Sequence, residues 1–299
     1  MEKILKIFPE HLQNLIKTKH PLAKYTTFKI GGSADLFIEP VQVEQLQEIL
    51  QILKIKDIDV KILGGGSNLL ISDEGVKVAV VSIRKLKGFS ISGKKVSINA
   101  GENLAGVINK TVDAGFKGLE TLAGIPGTIG GALIMNAGGK YGNISDYLQK
   151  VTVIDANNKI RTLQKSEISF GVRTSSLSDF VVISADFELQ KGDADKLKLR
   201  KEQIHQEKVN SQPYHKPSAG CVFKNPKKSS AGMLIDQAGM KGFQIGGAIV
   251  SNLHANYILN EENAKASEII QVIRHVREKV HEIHGVELEL EIKLWNLST

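Results

Sequence analysis

The chain has a single cysteine, Cys221, among 299 residues, so it cannot form an internal disulfide. Aromatic residues make up only 5% of the sequence, too few to provide the stacking platforms of a nucleic-acid binder. No stretch approaches the run of about 18 apolar residues that a membrane-spanning helix needs. The N-terminal stretch MEKILKIFPEHLQNL has neither the apolar core nor the cleavage site of a secretory signal. We therefore expect a cytoplasmic protein with no nucleic-acid or membrane partner.

Three familiar catalytic motifs are also missing. The sequence has no G-x-G-x-x-G after a strand, no G-x-x-x-x-G-K-[ST] and no G-x-S-x-G. These absences argue against a Rossmann dinucleotide site, a P-loop and a hydrolase nucleophile elbow. His281 and His284 lie three residues apart, which is not the spacing of a zinc protease, and no third ligand accompanies them. We interpret them as part of a solvated helix face and expect no metal.

The charge balance leaves the ligand open. Lys and Arg number 39 against 32 Asp and Glu, a formal net charge of +7. This excess suits an anionic ligand such as a nucleotide diphosphate, and it equally suits a lysine-rich composition without functional meaning. A chain of this length exceeds what one core usually serves, so we expect two or three domains.

Apolar periodicity predicts helices and strands in a mixed α+β order. Helical spacing occurs from Val43 to Leu53, after Asn103, before Gly239 and before Gly285. Strand candidates are VKVAVVS, VSINAG, VTVID, FVVISADFEL and the alternating GVELELEIKLW at the C-terminal end. The charged segment 191–210 between apolar sections predicts a helix that links two domains.

Two glycine-rich runs are candidates for anion binding. GGGSN at 64–68 follows a predicted strand, and GIPGTIGGALIMNAG spans 124–138. Consecutive glycines let backbone N–H groups approach an anion closely. Either run alone is equally well explained as a flexible turn. Two such loops in one half of the chain favour a diphosphate or flavin cradle.

Three further residues have both a functional and a structural interpretation. Cys221 lies in PSAGCVFKNP, which predicts a tight turn entering a short apolar strand. A lone cysteine is commonly packing material, and Arg173 in SFGVRTSS is by itself a surface charge. Glu291 shares its predicted strand face with other charged residues, which is typical of a solvated edge. Pattern alone does not decide between these interpretations.

Read together, the motifs resemble one enzyme family. TTFKIGGSA, GGGSNLLISDEG, GIPGTIGGALIMNAG, FGVRTSS, KPSAGCVFKNP, LIDQAGMKG, HANYILN and GVELELEI occur in this order. The set closely resembles the UDP-N-acetylenolpyruvoylglucosamine reductase family, flavoenzymes of peptidoglycan precursor synthesis. The resemblance extends from about Leu22 to Leu294.

This resemblance implies a fold and a division into domains. The implied α+β fold has an FAD-binding domain of the vanillyl-alcohol-oxidase, or PCMH, type at 27–192, with subdomains at about 27–80 and 81–192. An N-terminal segment, 1–26, precedes it, and a C-terminal α+β substrate domain, 193–299, follows. The chain resembles the shorter subtype of the family, which lacks a substrate-capping tyrosine loop.

The resemblance also implies a cofactor, a reaction and site residues. FAD would be bound by Gly64, Gly65, Gly66, Ser67, Asn68, Gly124, Pro126, Gly127, Thr128, Gly130, Gly131 and Asn136. NADPH is the implied co-substrate, and UDP-N-acetylglucosamine enolpyruvate is the implied small-molecule substrate. The implied catalytic residues are Arg173 as the active-site arginine, Cys221 as the proton donor and Glu291 as the second acid. Substrate contacts are expected from Lys224, Asn225, His254 and Lys293, and the chain is expected to be a monomer.

Three positions depart from the family pattern. Cys221 stands where serine is most frequent, Val172 where tyrosine is common, and Lys293 where arginine is frequent. Lysine keeps the positive charge of arginine but lacks its bidentate fork. Two other functions remain open from the residues: another flavin oxidoreductase of the same fold acting on an alcohol or sugar, and a non-catalytic nucleotide-binding protein.

Overall fold

The computed structural model describes residues 2–299, with side chains described from Ile4 onward. The chain forms two compact units, and neither is continuous in sequence. The first unit contains the segment up to Thr18, Leu36–Gly65 and Val78–Glu207. The second contains Lys19–Asp35, Gly66–Lys77 and Lys208–Thr299.

The helices lie in both units and vary from one turn to five turns. They are α1 (Glu2–Leu5), α2 (Glu10–Gln13), α3 (Val43–Ile55), α4 (Leu104–Asp113), α5 (Ile129–Ile134), α6 (Ala194–Ser211), α7 (Ala231–Gln237) and α8 (Ala266–His284).

The strands are short and numerous. They are β1 (Ile16–Pro21), β2 (Ser33–Ile38), β3 (Val60–Leu63), β4 (Leu69–Ile71), β5 (Val76–Ser82), β6 (Phe89–Ser92), β7 (Lys95–Asn99), β8 (Phe116–Lys117), β9 (Gly138–Gly139), β10 (Gly142–Asn143), β11 (Leu148–Ile154), β12 (Ile160–Gln164), β13 (Phe170–Gly171), β14 (Thr174–Ser175), β15 (Val181–Glu188), β16 (Gln190–Lys191), β17 (Gln244–Ile245), β18 (Ala248–Val250), β19 (Ile258–Asn260) and β20 (Lys293–Trp295).

Two sheets organise the first unit. One has the order β1-β2-β5-β3, in which β3 and β5 are parallel and Leu63 lies opposite Ser82. The other is antiparallel with the order β12-β11-β15-β7-β6. Because β3 and β5 run in the same direction, the segments that follow them leave the same edge of the sheet. This edge is where the first glycine loop begins.

Helices α3 and α4 bury the faces that their spacing predicts. In α3 the fully buried residues include Leu46, Ile49 and Leu53, which recur at helical intervals. Helix α4 begins where Asn103 accepts a hydrogen bond from the Gly106 N–H at 3.0 Å. Its apolar face packs into the core of the first unit.

The second unit joins three distant parts of the sequence. Strands β17, β18 and β19 form an antiparallel sheet, and β4 pairs in parallel with β20. Helix α8 packs on this unit's core through residues that include Ile269, Ile273 and Val276. The N–H groups of Ala266 and Ser267, at its first turn, donate to the Asp73 carboxylate at 2.9 and 3.2 Å. A carboxylate at a helix N-terminus satisfies backbone donors that the helix leaves unpaired.

The predicted helix ends are confirmed at two glycines. Helix α8 ends at Gly285, which has a φ of 65°, and α7 is followed by Gly239 with a φ of 70°. Both lie in the left-handed region that glycine adopts without steric cost. The segment after Gly285, by contrast, is not the continuous strand that its alternation predicts. Only Lys293–Trp295 is a strand, and Leu290 makes an isolated bridge to Phe223.

No helix among residues 2–299 has the length and apolar character needed to cross a bilayer.

Candidate functional site

The first glycine loop starts at the end of β3 and touches the second loop. A Cβ atom on Gly65 would lie 2.6 Å from the Gly127 Cα, and one on Gly64 would lie 2.7 Å from the Thr128 Oγ1. Both separations are far shorter than van der Waals contact. At Gly65 and Gly127 the two backbones therefore meet directly, which only residues without a side chain allow.

Arg84 holds the first loop, although no sequence motif pointed to it. It lies in a short 3₁₀ turn, Ile83–Lys85, directly after β5. Its Nε donates to the Gly64 carbonyl at 2.9 Å, and its Nη2 donates to the Gly65 carbonyl at 2.7 Å. The contact follows from the parallel pairing of β3 and β5, which brings together residues about 20 positions apart.

The second loop is fixed at the start of α5. The Thr128 Oγ1 accepts a hydrogen bond from the Gly131 N–H at 3.4 Å, and Thr128 is the N-cap residue. The N–H groups of Ile129 and Gly130 each donate to backbone carbonyls of the 100–102 segment at 2.9 Å. Gly127 has a φ of 130°, a conformation that other residues rarely adopt. The loop therefore has one fixed path.

Arg173 lies at the tip of the hairpin formed by β13 and β14, and this hairpin is fastened to the end of α5. The Asn136 Nδ2 donates to the Gly171 carbonyl at 3.0 Å. The Ser175 hydroxyl lies 3.0 and 2.9 Å from two carbonyl oxygens in the last turn of α5. The structure therefore brings Arg173 and Asn136 together with the helix that begins at the second glycine loop.

The backbone of Arg173 is strained. Gly171 pairs with Thr174, which leaves Val172 and Arg173 as a two-residue turn. Arg173 has a φ of 55°, and the exposed fraction of Val172 is 86%. Glycine is the usual residue at such a position, because left-handed backbone costs a residue with a Cβ about 1–2 kcal/mol. Asparagine is the common exception, since its side chain can hydrogen-bond to the local backbone. Strain of this kind is most frequent at functional sites.

Cys221 precedes a segment that a buried side chain holds in place. The Asn256 Oδ1 accepts from the Phe223 N–H at 2.9 Å, and the Asn256 Nδ2 donates to the Phe223 carbonyl at 2.8 Å. The Asn256 carbonyl also accepts from the Val222 N–H at 2.8 Å. Asn256 is only 2% exposed, whereas Cys221 is half-buried. Gly220, with a φ of 78°, makes the predicted turn, but no regular strand follows it.

Glu291 lies on the segment next to Cys221. The Glu291 N–H donates to the Val222 carbonyl at 2.8 Å. On its other side, the Glu291 carbonyl accepts from the Asn68 Nδ2 at 3.0 Å, and the Lys293 N–H donates to the Asn68 carbonyl at 2.9 Å. Two of the predicted catalytic residues, Cys221 and Glu291, are therefore on adjacent backbone segments of the second unit.

Glu291 differs from the other acidic residues of its segment. The side chains of Glu287 and Glu289 are 69% and 76% exposed, whereas Glu291 is half-buried. The alternation breaks here because the N–H groups of Glu291 and Ile292 both approach the Val222 carbonyl, at 2.8 and 3.5 Å. Glu291 is therefore less exposed than the two acidic residues that precede it on this segment.

The predicted substrate residues have defined contacts within the second unit. The Lys224 Nζ lies 3.1 Å from the Glu289 Oε2. The Asn225 Oδ1 accepts from the Ala231 N–H at 3.0 Å, at the first turn of α7. That oxygen therefore has a structural role that the sequence did not indicate. Lys293 is exposed.

His254 is the predicted substrate residue with a shifted pKa. Burial lowers the pKa of its imidazole below the ordinary value of 6.5, and the nearby positive charge of Lys241 lowers it further. The His254 Nδ1 accepts from the Asn256 N–H at 3.3 Å, and the ring packs edge-on against Tyr257 with centroids 5.0 Å apart. An accepting Nδ1 places the remaining ring proton on Nε2.

The site residues predicted from the sequence fall into two groups. Gly64, Gly65, the 124–131 loop, Asn136 and Arg173 belong to the first unit. The second unit contains Gly66, Ser67 and Asn68, together with Cys221, Lys224, Asn225, His254, Glu291 and Lys293.

The residues of the first unit fit a dinucleotide cofactor such as FAD. At Gly65 and Gly127 the two glycine loops meet backbone to backbone, and consecutive glycine N–H groups can form an anion-binding concavity. The Asn136 Oδ1 is buried, and no donor in the described part of the chain reaches it. A buried acceptor without a donor is costly unless a ligand supplies one. Among the described residues, no group of three His, Cys, Asp or Glu side chains could hold a metal ion.

Comparisons with known proteins agree with this arrangement. Residues 34–164 match the model of an FAD binding domain, and residues 212–295 match the C-terminal domain of UDP-N-acetylenolpyruvoylglucosamine reductase. The reductase of that name from Trichormus variabilis is 40% identical over 284 residues, covering 93% of this chain and 86% of the relative.

Solved structures show the same fold. UDP-N-acetylenolpyruvylglucosamine reductase from Thermus caldophilus superimposes with a TM-score of 0.81 at 32% identity, covering 94% of this chain and 98% of that one. The glucose dehydrogenase Phl p 4.0202 matches with a TM-score of 0.51 at 14% identity, covering 95% of this chain and 62% of that one, and so shares the fold alone. The α+β fold with an FAD-binding domain of the vanillyl-alcohol-oxidase type is confirmed. With this identity over nearly its whole length, the chain belongs to the UDP-N-acetylenolpyruvoylglucosamine reductase family.

Proposed function

We infer that the chain reduces UDP-N-acetylglucosamine enolpyruvate to UDP-N-acetylmuramate with NADPH. It is an FAD-dependent oxidoreductase of peptidoglycan precursor synthesis. The observation that carries this conclusion is the similarity to reductases of this activity over 93% of the chain. FAD, when bound, supplies the hydride that NADPH provides to it and the substrate receives.

We assign the FAD site to the two glycine loops and Asn136. In the first loop these are Gly64, Gly65, Gly66, Ser67 and Asn68, and in the second they are Gly124, Pro126, Gly127, Thr128, Gly130 and Gly131. The backbone N–H groups of the first loop are proposed as donors to a diphosphate, whereas those of Gly130 and Gly131 already donate to the Ala100 carbonyl and the Thr128 Oγ1. Asn136 supplies a buried acceptor for a ligand donor.

Arg173 is assigned to the enolate that forms when a hydride reaches the enolpyruvyl CH₂ carbon. That addition places negative charge on the carbon beside the carboxylate and on its oxygens. A guanidinium stays protonated at every physiological pH, so it can stabilise this charge without titrating. The fastening of its hairpin to α5 fixes where the charge can be delivered.

Cys221 is assigned as the proton donor. An ordinary thiol has a pKa of about 8.5, so it is mostly protonated at neutral pH and is a stronger acid than a serine hydroxyl. Its S–H bond breaks as a C–H bond forms at the enolate carbon, and the thiolate regains a proton from solvent. Gly220 before it leaves the backbone narrow for the approach of the substrate.

Glu291 is assigned as the second acid, which shares a hydrogen bond with the substrate carboxylate. Its backbone is held from both sides by Val222 and Asn68, so its half-buried side chain starts from a fixed position. Cys221 and Glu291 would act on one substrate from neighbouring segments, which is the positioning that fast proton transfer needs.

The substrate contacts are proposed for Lys224, Asn225, His254 and Lys293. Lysine side chains supply positive charge to a diphosphate as point charges. The Asn225 Nδ2 is assigned to the ligand, because its Oδ1 already accepts from α7. Neutral His254 can donate from Nε2.

We propose three parts along the chain: an N-terminal segment, 1–26, an FAD-binding domain, 27–192, and a substrate domain, 193–299. The matched ranges 34–164 and 212–295 support the two larger parts. We further propose a cytoplasmic monomer without nucleic-acid or membrane partners, in keeping with its small-molecule substrate.

The two half-reactions of Cys221→Ala and Cys221→Ser test the assignment. In Cys221→Ala we expect NADPH to reduce the flavin normally, while product formation falls by orders of magnitude. Cys221→Ser should keep substantial activity, because a hydroxyl can also donate a proton. Stopped-flow absorbance near 450 nm measures both half-reactions. Normal product formation in Cys221→Ala would remove the residue from the mechanism.

The electron acceptor distinguishes this function from a sugar or alcohol oxidase of the same fold. We expect the purified protein to be yellow and its reduced flavin to be reoxidised by UDP-N-acetylglucosamine enolpyruvate much faster than by oxygen. Reoxidation by oxygen alone would favour the oxidase, and a colourless protein that binds UDP-sugars would favour a nucleotide-binding role.

A further inference from the structure

Arg84 forms two hydrogen bonds to the first glycine loop and has no role in the proposed function so far. Its guanidinium donates at 2.9 Å from Nε to one carbonyl and at 2.7 Å from Nη2 to the next, those of Gly64 and Gly65. Both distances are in the range of strong, charge-assisted hydrogen bonds. Two donors in a rigid planar group fix two consecutive carbonyl directions at once.

Fixing two carbonyls also fixes the two N–H groups that follow them. Each peptide group is planar and trans, so its N–H points opposite to its C=O. With the carbonyls of Gly64 and Gly65 turned toward Arg84, the N–H groups of Gly65 and Gly66 are turned away from it. Consecutive N–H groups that point to one side form an anion-binding concavity. Glycines left to themselves would populate many other orientations.

Because the first loop touches the second, Arg84 also influences the position of the second loop. Gly65 approaches Gly127 so closely that a Cβ would lie 2.6 Å from the Gly127 Cα. The position of Gly65 therefore determines how near the 124–131 loop can come. The carboxyl ends of parallel strands are where α/β sheets bind ligands, and both Arg84 and the glycine loop lie directly beyond such ends.

We propose that Arg84 is a positioning residue of the FAD site, which turns the Gly65 and Gly66 N–H groups toward the cofactor's diphosphate by holding the carbonyls on the opposite face. The inference rests on the proposed function, because it takes FAD as the ligand. Arg84 acts through the backbone it holds and not by touching the reacting atoms.

Flavin-free protein prepared from the holoenzyme provides the test. FAD is titrated into wild type, Arg84→Gln and Arg84→Lys, with flavin fluorescence as the signal. Loss of two charge-assisted hydrogen bonds should raise the Kd for FAD by about 10- to 100-fold in Arg84→Gln. Arg84→Lys should lie in between, because lysine keeps the charge and lacks the fork. Arg161→Gln, which changes an exposed arginine of β12, should bind as wild type.

Hydrogen exchange of the flavin-free proteins separates positioning from general stability. We expect faster exchange confined to peptides that cover 64–68 in the Arg84 variants, with an unchanged thermal midpoint. Wild-type Kd and exchange in Arg84→Lys and Arg84→Gln would overturn the proposal. If Arg84→Gln does not fold, Arg84→Lys decides. If wild type itself binds no FAD, the proposed function fails, and the exchange measurement still shows whether Arg84 orders the loop.

Discussion

The contact of Gly65 with Gly127 in the first unit and the Cys221 segment of the second both involve irregular backbone, but different groups hold them. In the glycine loops, Gly65 and Gly127 meet without any side chain between them, and an arginine binds the carbonyls from behind. In the Cys221 segment, the Asn256 side chain takes the place of a neighbouring strand. The glycine loops depend on the absence of side chains, whereas the Cys221 segment depends on the buried side chain of Asn256.

The two regions should therefore tolerate different substitutions. Added volume disrupts a backbone contact, so the glycine loops should be most sensitive to larger residues. The Cys221 segment should be most sensitive to removal of the Asn256 amide, because this leaves a buried donor and a buried acceptor of Phe223 unpaired.

Asn256→Ala should have the largest effect on folding. It leaves the Phe223 N–H and carbonyl buried without partners, each at a cost of about 1–3 kcal/mol. We expect the free energy of unfolding to fall by about 2–6 kcal/mol in urea denaturation. Asn252→Ala, at an exposed asparagine nearby, should change it by less than about 0.5 kcal/mol.

The same variant should expose Cys221, which is the chain's only thiol. Alkylation by iodoacetamide is therefore specific for this residue, and the relaxed segment should react faster in Asn256→Ala than in wild type. Asn256→Asp keeps the acceptor for the Phe223 N–H and should lie between the two. Equal alkylation rates in all three proteins would mean that Asn256 does not order the segment.

Gly65→Ala should break the glycine contact and weaken FAD binding by about 10- to 100-fold, equivalent to about 1–3 kcal/mol of overpacking. Gly139 provides the matched control, because a Cβ there meets nothing within 4 Å and its φ is not positive. Flavin titration of both variants measures the effect. A Kd near that of wild type for Gly65→Ala would contradict the close approach of the loops.

Arg173→Asn tests a proposed catalytic residue of the first unit, whose left-handed backbone suits a different residue. Asparagine tolerates left-handed backbone, so we expect the free energy of unfolding to rise by up to about 1 kcal/mol. Turnover should fall by about 100-fold or more, because the charge at the enolate is lost. Arg161→Asn, on an exposed strand, should give no gain in stability; an equal gain there would rule out relief of strain at Arg173.

His254→Gln should have the smallest effect, which is on how the free energy of unfolding changes with pH. Its pKa is lowered by burial in the folded chain, so the unfolded chain binds more protons below the ordinary pKa of 6.5. Stability should therefore rise with pH through this region and fall as pH drops below 6.5. His254→Gln should flatten this dependence between about pH 5 and 7, whereas His215→Gln, at an exposed histidine, should not. Identical profiles for wild type and His254→Gln would contradict the assigned pKa shift.

The sequence predicted those parts of the fold that depend on local pattern. Helical spacing with a terminal glycine identified α8 and its end at Gly285, and the run Val76–Ser82 was correctly predicted as a strand. The alternation after Gly285 predicted too long a strand, because hydrogen bonds from Asn68 and to Val222 replace a regular ladder there. Local pattern cannot show which distant group will pair with a segment.

The candidate site shows the same limit. Family resemblance predicted Cys221 and Glu291 as catalytic residues, which stays a prediction, and the structure places their backbone segments side by side. Arg84 and Asn256 were missed because their contacts are with backbone carbonyls and amides far away in sequence. A residue that serves another residue's backbone has no characteristic spacing from it, so a single sequence contains no signal for it.

The discontinuity of the second unit has a consequence for how the chain folds. Its hydrogen bonds join Ala266 to Asp73, Glu291 to Asn68 and Asn260 to Phe28, across 193, 223 and 232 positions. Such contacts close very long loops. The chain loses conformational entropy on closing these loops before the contacts can stabilise the fold. During synthesis, β4 has no β20 to pair with until Lys293–Trp295 has been made, more than 200 residues later. We therefore expect the second unit to fold last and slowly, with the apolar β4 segment in need of protection until the C-terminal strand emerges.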